Sequence, residues 1–143
     1  MITYLDNAAT TYPKPDGVYE RMDKFLRESG ASPERGTHRL ARAAAEQMGA
    51  ARRTVAQLIG APDPTRVVFT RGATESMNLV LKGLLAPGDH VVTTTLEHNS
   101  VNRPLASLRA RGVTATAVSP GPDGRVSAEA LGAALTDKTR EIV

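Results

Sequence analysis

The stretch Val67-Val68-Phe69-Thr70-Arg71-Gly72-Ala73-Thr74-Glu75 passes from a short apolar run through a turn into a helix. A wholly apolar run with a polar end is typical of a strand buried in a parallel sheet, so residues 67–70 predict one. From Ala73 to Leu85 apolar side chains recur on one side at helical spacing. The stretch therefore predicts a strand-turn-helix unit of an α/β fold.

The rest of the chain continues this alternation. Upstream, an extended arm to Pro15 precedes two predicted helices, at residues 16–28 and 38–59. Downstream the predicted order is strand, helix, strand, helix, strand, over residues 90–95, 101–111, 113–118, 127–135 and 140–143. This order predicts an α/β fold with a mostly parallel sheet and flanking helices. We expect one region over residues 1–37, holding the arm, first helix and loop, and a domain over 38–143.

Composition narrows the function classes. Hydrophobic residues make up 41% of the 143 residues, which is enough for a core, and the absence of cysteine excludes disulfides and thiolate metal sites. Aromatic residues are only 3%, and the basic residues behind the net charge of +3 are scattered, so nucleic-acid binding is disfavoured. No apolar run approaches membrane-spanning length and no signal peptide is visible, so we expect no membrane partner and a cytoplasmic location.

Gly72, Ala73 and Thr74 form a candidate anion site. A helix start carries unpaired N–H groups and a positive dipole end, and in open α/β folds ligands lie beyond the carboxyl ends of strands. Gly72 and Ala73 leave room for a close approach, and Thr74 adds a hydroxyl donor. An ordinary tight turn with a capping threonine explains these residues equally well. The segment matches neither a Walker loop nor a dinucleotide fingerprint.

The three histidines have different settings. His98 follows a predicted strand at the same sheet edge as Thr74, where an imidazole could stack on a flat ring and move protons. Position alone favours a hydrogen-bonded loop histidine. A metal role, with Glu97 and His38 as partners, matches no known ligand spacing, so we predict no metal site. By default His38 begins the long helix, and His90 is expected at the surface after a turn.

Four segments, taken in order, resemble the class V aminotransferase family, specifically its cysteine desulfurase group. They are Tyr4-Leu5-Asp6-Asn7-Ala8-Ala9-Thr10-Thr11, Arg35-Gly36-Thr37-His38-Arg39-Leu40, Val68-Phe69-Thr70-Arg71-Gly72-Ala73-Thr74-Glu75-Ser76-Met77-Asn78-Leu79 and Glu97-His98-Asn99-Ser100. The resemblance implies roughly the first third of a fold-type I enzyme that binds pyridoxal 5'-phosphate. It implies cofactor contacts from Gly72, Ala73, Thr74 and His98, a catalytic role for His98, and a substrate side formed by Ala8, Ala9 and His38.

The resemblance also implies a reaction. Sulfur would be removed from L-cysteine to give alanine and an enzyme persulfide, in a homodimer that passes sulfur to an acceptor protein, with the cofactor as electron sink.

The family's Schiff-base lysine and nucleophilic cysteine have no counterpart here. The chain has no cysteine, and its lysines, among them Lys82 late in a helix and away from the strand ends, are not placed for that bond. We therefore expect part of a longer chain, since the last predicted strand is unfinished at Val143, and no activity from these residues alone. Selenocysteine lyases, other class V lyases or transaminases, and a noncatalytic phosphate-binding α/β module remain alternatives.

Overall fold

The computed structural model describes residues 3–143, so the first two residues of the predicted arm lie outside the described part. Packing divides the chain into two compact units, Met1–Val68 and Phe69–Val143. The domain boundary that we predicted after residue 37 remains a prediction.

The first unit contains two α-helices, α1 over Asp16–Ser29 and α2 over Arg39–Ile59, followed by a short 3-10 helix over Pro64–Arg66. Both predicted helices are confirmed. Helix α2 ends at Gly60, whose φ of 69° is a left-handed conformation that favours glycine. The buried residues of α2 are all alanines, and small side chains permit close packing. Among residues 3–143, no helix is both long and apolar enough to cross a membrane.

The second unit alternates helices and strands. It contains α3, β1, α4, β2, α5 and β3, over Ala73–Leu84, His90–Thr94, Asn99–Arg109, Thr114–Val118, Ala128–Ala133 and Thr139–Ile142. The three strands are parallel in the order β2-β1-β3, which confirms the predicted α/β class. Ser127 caps α5 as predicted, because its hydroxyl accepts a hydrogen bond from the Ala130 N–H at 3.1 Å.

The core of the second unit lies between the sheet and helices α3 and α4. Its buried members are Leu81, Leu85, Val91, Val101, Leu105, Leu108 and Val113. Leu81 of α3 and Leu108 of α4 are among the largest fully buried side chains. Their burial holds the two helices against each other and against β1, which brings the first turns of α3 and α4 to the same groove.

The strand predicted at residues 67–70 is wrong. These residues form no strand, and Val68 and Phe69 are 64% and 45% exposed. A strand exists only through hydrogen bonds to a neighbouring strand, and none of the three strands of the sheet pairs with this segment. An apolar run indicates burial or strand propensity. It does not indicate whether the fold provides a neighbouring strand for pairing.

The expected surface position of His90 is also wrong. His90 is 6% exposed, and its Nδ1 and Nε2 atoms lie 2.8 Å and 2.9 Å from the hydroxyls of Thr139 and Thr116. The reason is the strand order. His90 begins the central strand, so neighbours on both sides cover it and supply a partner for each ring nitrogen.

Glu141 of β3 has a buried carboxylate. Its register partner is Val91 of the core, and both carboxylate oxygens are buried without a hydrogen-bond partner among the described residues. This burial raises the pKa of Glu141 above its ordinary value, because desolvation disfavours the charged form.

Candidate active site

Helix α3 begins without a capping side chain. Gly72 is its N-cap residue, with φ of 158° and ψ of 176°, a conformation adopted essentially only by glycine. A Cβ atom added at Gly72 would meet no atom within 4 Å. The backbone conformation, rather than crowding, therefore requires glycine here. Since no side chain caps the start, the first-turn N–H groups, including those of Ala73 and Thr74, remain available to an acceptor from outside the chain.

Hydrogen bonds hold this turn in shape. The Thr70 hydroxyl donates to the Gly72 carbonyl at 3.1 Å, and a Glu75 carboxylate oxygen accepts from the Arg71 N–H at 2.7 Å. Sequence reasoning missed the role of Glu75, although an acid three residues after an N-cap is the signal of a capping box. A cavity of about 460 Å³ opens on the turn, lined by Arg71, Gly72, Ala73, Thr74, Glu75 and Asn78.

His98 is the N-cap residue of α4. Its Nδ1 atom accepts a hydrogen bond from the Ser100 N–H at 3.1 Å and lies 3.0 Å from the Ser100 hydroxyl. Accepting this bond requires a lone pair on Nδ1, so the neutral ring carries its proton on Nε2. The exposed ring is thus held at one nitrogen, and no hydrogen bond from residues 3–143 occupies the other.

Thr74 and His98 meet in one cavity. It has a volume of about 280 Å³ between α3 and α4 and is lined by Thr74, Asn78, Lys82, His98, Asn99, Ser100, Arg103 and Pro104. Lys82, which we expected late in a helix and away from the strand ends, also lines this cavity. Arg103 was not singled out at all. Its spacing of three and four residues from Ser100 and Asn99, which puts all three on one helix face, was the available signal.

The other predicted site residues belong to the first unit. Ala8 and Ala9 lie in an exposed turn in which the Ala9 N–H donates to the Asp6 carbonyl at 3.1 Å. His38 is the N-cap residue of α2, and its Nδ1 atom accepts from the Ala41 N–H at 3.3 Å. The default expectation that His38 begins the long helix is therefore confirmed, and the substrate roles of these three residues remain predictions.

Known proteins are similar to this sequence over nearly its full length. The family described as Aminotransferase class-V matches residues 3–143. Cysteine desulfurase IscS of Serratia proteamaculans is 39% identical over 142 residues, a match that covers 95% of this chain and 35% of the relative. The chain therefore spans about a third of the length of such relatives.

Solved structures share the fold. The apo structure of a cysteine desulfurase from Thermococcus onnurineus NA1 matches with a TM-score of 0.77 and 34% identity, over 89% of this chain and 32% of that one. The structure of SspA in complex with cysteine matches with a TM-score of 0.82 and 34% identity, over 99% of this chain and 41% of that one. Sequence and fold agree, and the chain belongs to the class-V aminotransferase family.

Proposed function

We propose that this chain is the N-terminal part of a pyridoxal 5'-phosphate-dependent cysteine desulfurase, which removes sulfur from L-cysteine to give alanine and an enzyme persulfide. One observation carries the proposal within the structure: Thr74, at the uncapped start of α3, and His98, at the start of α4, line the same cavity. The similarity to IscS, to the cysteine desulfurase of Thermococcus onnurineus NA1 and to SspA in complex with cysteine supports the choice of reaction.

The residues present fit the cofactor. Pyridoxal 5'-phosphate joins an anionic phosphate to a flat aromatic ring. The first turn of α3 offers uncapped N–H groups, the Thr74 hydroxyl and the nearby Arg71 side chain, a combination suited to a phosphate. The exposed His98 ring in the adjoining cavity is suited to stacking on the pyridine ring. When bound, the cofactor would supply an electron sink for the bond changes at the substrate carbon.

Each residue then has a separate task. Gly72, Ala73 and Thr74 bind and orient the phosphate. Because Nδ1 accepts the Ser100 N–H, His98 keeps one ring orientation and carries its proton at Nε2, where the N–H can donate a hydrogen bond to a bound group. We assign the substrate side to Ala8, Ala9 and His38, as the family resemblance implies.

The proposal extends to the complete enzyme. It includes a homodimer, a sulfur-acceptor protein and a cytoplasmic location. It assigns neither the Schiff-base lysine nor the nucleophilic cysteine to these 143 residues, which contain no cysteine, so this chain alone is expected to be inactive as a desulfurase.

Thr74 provides the direct test of the cofactor site. Pyridoxine 5'-phosphate is the probe, because it lacks the aldehyde and cannot react with lysines, and its affinity for the 143-residue chain is measured by amide NMR titration. Thr74→Val removes the hydroxyl at constant shape and should weaken binding about fivefold, the value of one hydrogen bond. Thr74→Ser keeps the hydroxyl and should bind like the parent.

Two results would contradict the assignment. One is equal affinity of the Thr74→Val variant and the parent. The other is equal affinity for pyridoxine, which lacks the phosphate, since the site at the start of α3 is proposed to bind through that group.

A further inference from the structure

Two positively charged side chains in the groove between α3 and α4 have no use in the proposed cofactor site. Lys82 comes from α3 and Arg103 from α4, and both line the cavity that Thr74 and His98 share. Within residues 3–143, neither Lys82 nor Arg103 makes an ion pair or a side-chain hydrogen bond. Each is therefore a cation without a partner in the described structure.

The wall around these cations carries no negative charge. Apart from Pro104, the remaining lining residues are Thr74, Asn78, His98, Asn99 and Ser100, all neutral and polar when His98 is neutral. Two cations from different helices that converge on one concave, acid-free surface create a positive potential that favours an anion. The first turn of α4 lies in the same wall and adds its positive dipole end.

This position is distinct from the start of α3. Lys82 is eight residues beyond Thr74 in the same helix, and at 1.5 Å per residue the two lie about 12 Å apart along the axis. The cofactor phosphate is assigned to the N–H groups at the start of α3, whereas Lys82 and Arg103 present side-chain charges further along the same cavity wall.

We propose that Lys82 and Arg103 form a second anion subsite that takes a phosphate group. Arg103 can bind two phosphate oxygens with its planar guanidinium, while Lys82 supplies a mobile point charge. Asn99 and Ser100, from the same face of α4 as Arg103, add polar groups at the edge. The phosphate comes either from inorganic phosphate or from a small phosphate monoester, and the subsite does not depend on the proposed reaction.

The test is an amide NMR titration of the 143-residue chain at low salt, with inorganic phosphate in one arm and glycerol 3-phosphate in the other. Amide shifts of Ser100 and Arg103 report the subsite, and those of Ala73 and Thr74 report the start of α3. Lys82→Gln and Arg103→Gln should each weaken binding at the subsite about fivefold, and the double variant should abolish it at millimolar phosphate. Added salt should weaken it further.

A matched control separates a site from general attraction. Arg109→Gln removes the same charge from the last turn of α4, outside the cavity, and should leave the affinity unchanged. Thr74→Val should reduce shifts at the start of α3 and spare those at Ser100, so failure of the cofactor site and failure of the subsite are distinguishable. Tighter binding of glycerol 3-phosphate would identify the monoester as the preferred ligand, and equal binding would show that inorganic phosphate suffices.

Three results would overturn the proposal. They are the absence of phosphate-dependent shifts at Ser100 and Arg103, their persistence in the double variant, and an equal loss of affinity in Arg109→Gln. All substituted side chains are exposed, so the amide spectrum of each variant, compared with that of the parent, shows directly whether the fold is retained.

Discussion

Helices α3 and α4 begin beside the same cavity but begin differently. Helix α3 starts at Gly72, which has no side chain to cap it, whereas α4 starts at His98, whose ring accepts the Ser100 N–H. An uncapped start keeps its N–H groups for a ligand. A capped start has used one of them but gains a fixed side chain. The difference supports the proposed roles, in which the start of α3 binds the cofactor phosphate and the start of α4 positions an imidazole.

The open start of α3 costs the fold little. Glycine at an N-cap position is only a few tenths of a kcal/mol less stabilising than serine or aspartate, whereas alanine there costs about 1 kcal/mol. Buried Leu81 in the same helix supplies far more stability than any cap, since removal of such a side chain costs about 3 kcal/mol. Core packing therefore stabilises the helix, and its first turn is left available for binding.

Among the substitutions that test the difference between the two helix starts, Gly72→Ala should change the free energy of unfolding most. Its φ and ψ are strained for any residue with a Cβ atom, so the substitution should lower the free energy of unfolding by about 2 kcal/mol in urea denaturation. Gly83→Ala is the matched control, because it makes the same change in the last turn of α3, where a Cβ would meet nothing within 4 Å. That variant should be neutral or slightly stabilising. Equal effects of the two substitutions would show that the start of α3 has no special conformation.

His98 should have the next largest effect. His98→Ala removes the cap and should destabilise the chain by about 1 kcal/mol, in addition to weakening pyridoxine 5'-phosphate binding. His98→Asn supplies a side-chain oxygen for the Ser100 N–H, so it should keep the stability and lose only the ring contact. Unfolding and ligand titrations on both variants separate the two roles. If His98→Asn loses as much stability as His98→Ala, the ring does not act as a cap.

Local patterns predicted most of the elements. The five helices and the strands β1, β2 and β3 were all expected from apolar spacing and turn residues, which depend on neighbours within a few positions. Motif resemblance selected Thr74 and His98, and the structure places both in one cavity. The capping role of His98 was not expected, because the usual N-cap residues are serine, threonine, aspartate and asparagine.

The predictions that the structure contradicts involve partners distant in sequence. Residues 67–70 have strand composition but no strand to pair with, and His90 is buried because β1 is central. Lys82 and Arg103 are 21 positions apart, and only the packing of α3 on α4 brings them to one cavity. Charge pattern along the chain contains no information on that packing. The predicted substrate residues Ala8, Ala9 and His38 remain to be tested by substitution.

The start of α5 is a third helix start, and its contribution to stability depends on pH. Substitutions there should have the smallest effect on the free energy of unfolding. Ser127 caps this helix, and the pKa of Glu129 in its first turn is lowered from 4.5 by its own backbone N–H and then by the Ser127 hydroxyl. Because the folded state favours the charged form, this stabilisation is present above pH 4.5 and is lost as the pH falls through the lowered pKa. Glu129→Gln should therefore change little at neutral pH and should reduce the loss of stability on acidification below pH 4.5, measured by urea unfolding.

Ser127→Ala tests the same start by another route. It removes the second cause of the lowered pKa together with the cap, so it should weaken the acid dependence and also lower stability at neutral pH.

The open start of α3 has no equivalent cap, and a serine placed there, by Gly72→Ser, should not create one, because the backbone at φ of 158° is unsuited to a residue with a Cβ atom. If Gly72→Ser were as stable as the parent, the two helix starts would be interchangeable, and the proposed binding of the cofactor phosphate at the start of α3 would lose its physical basis.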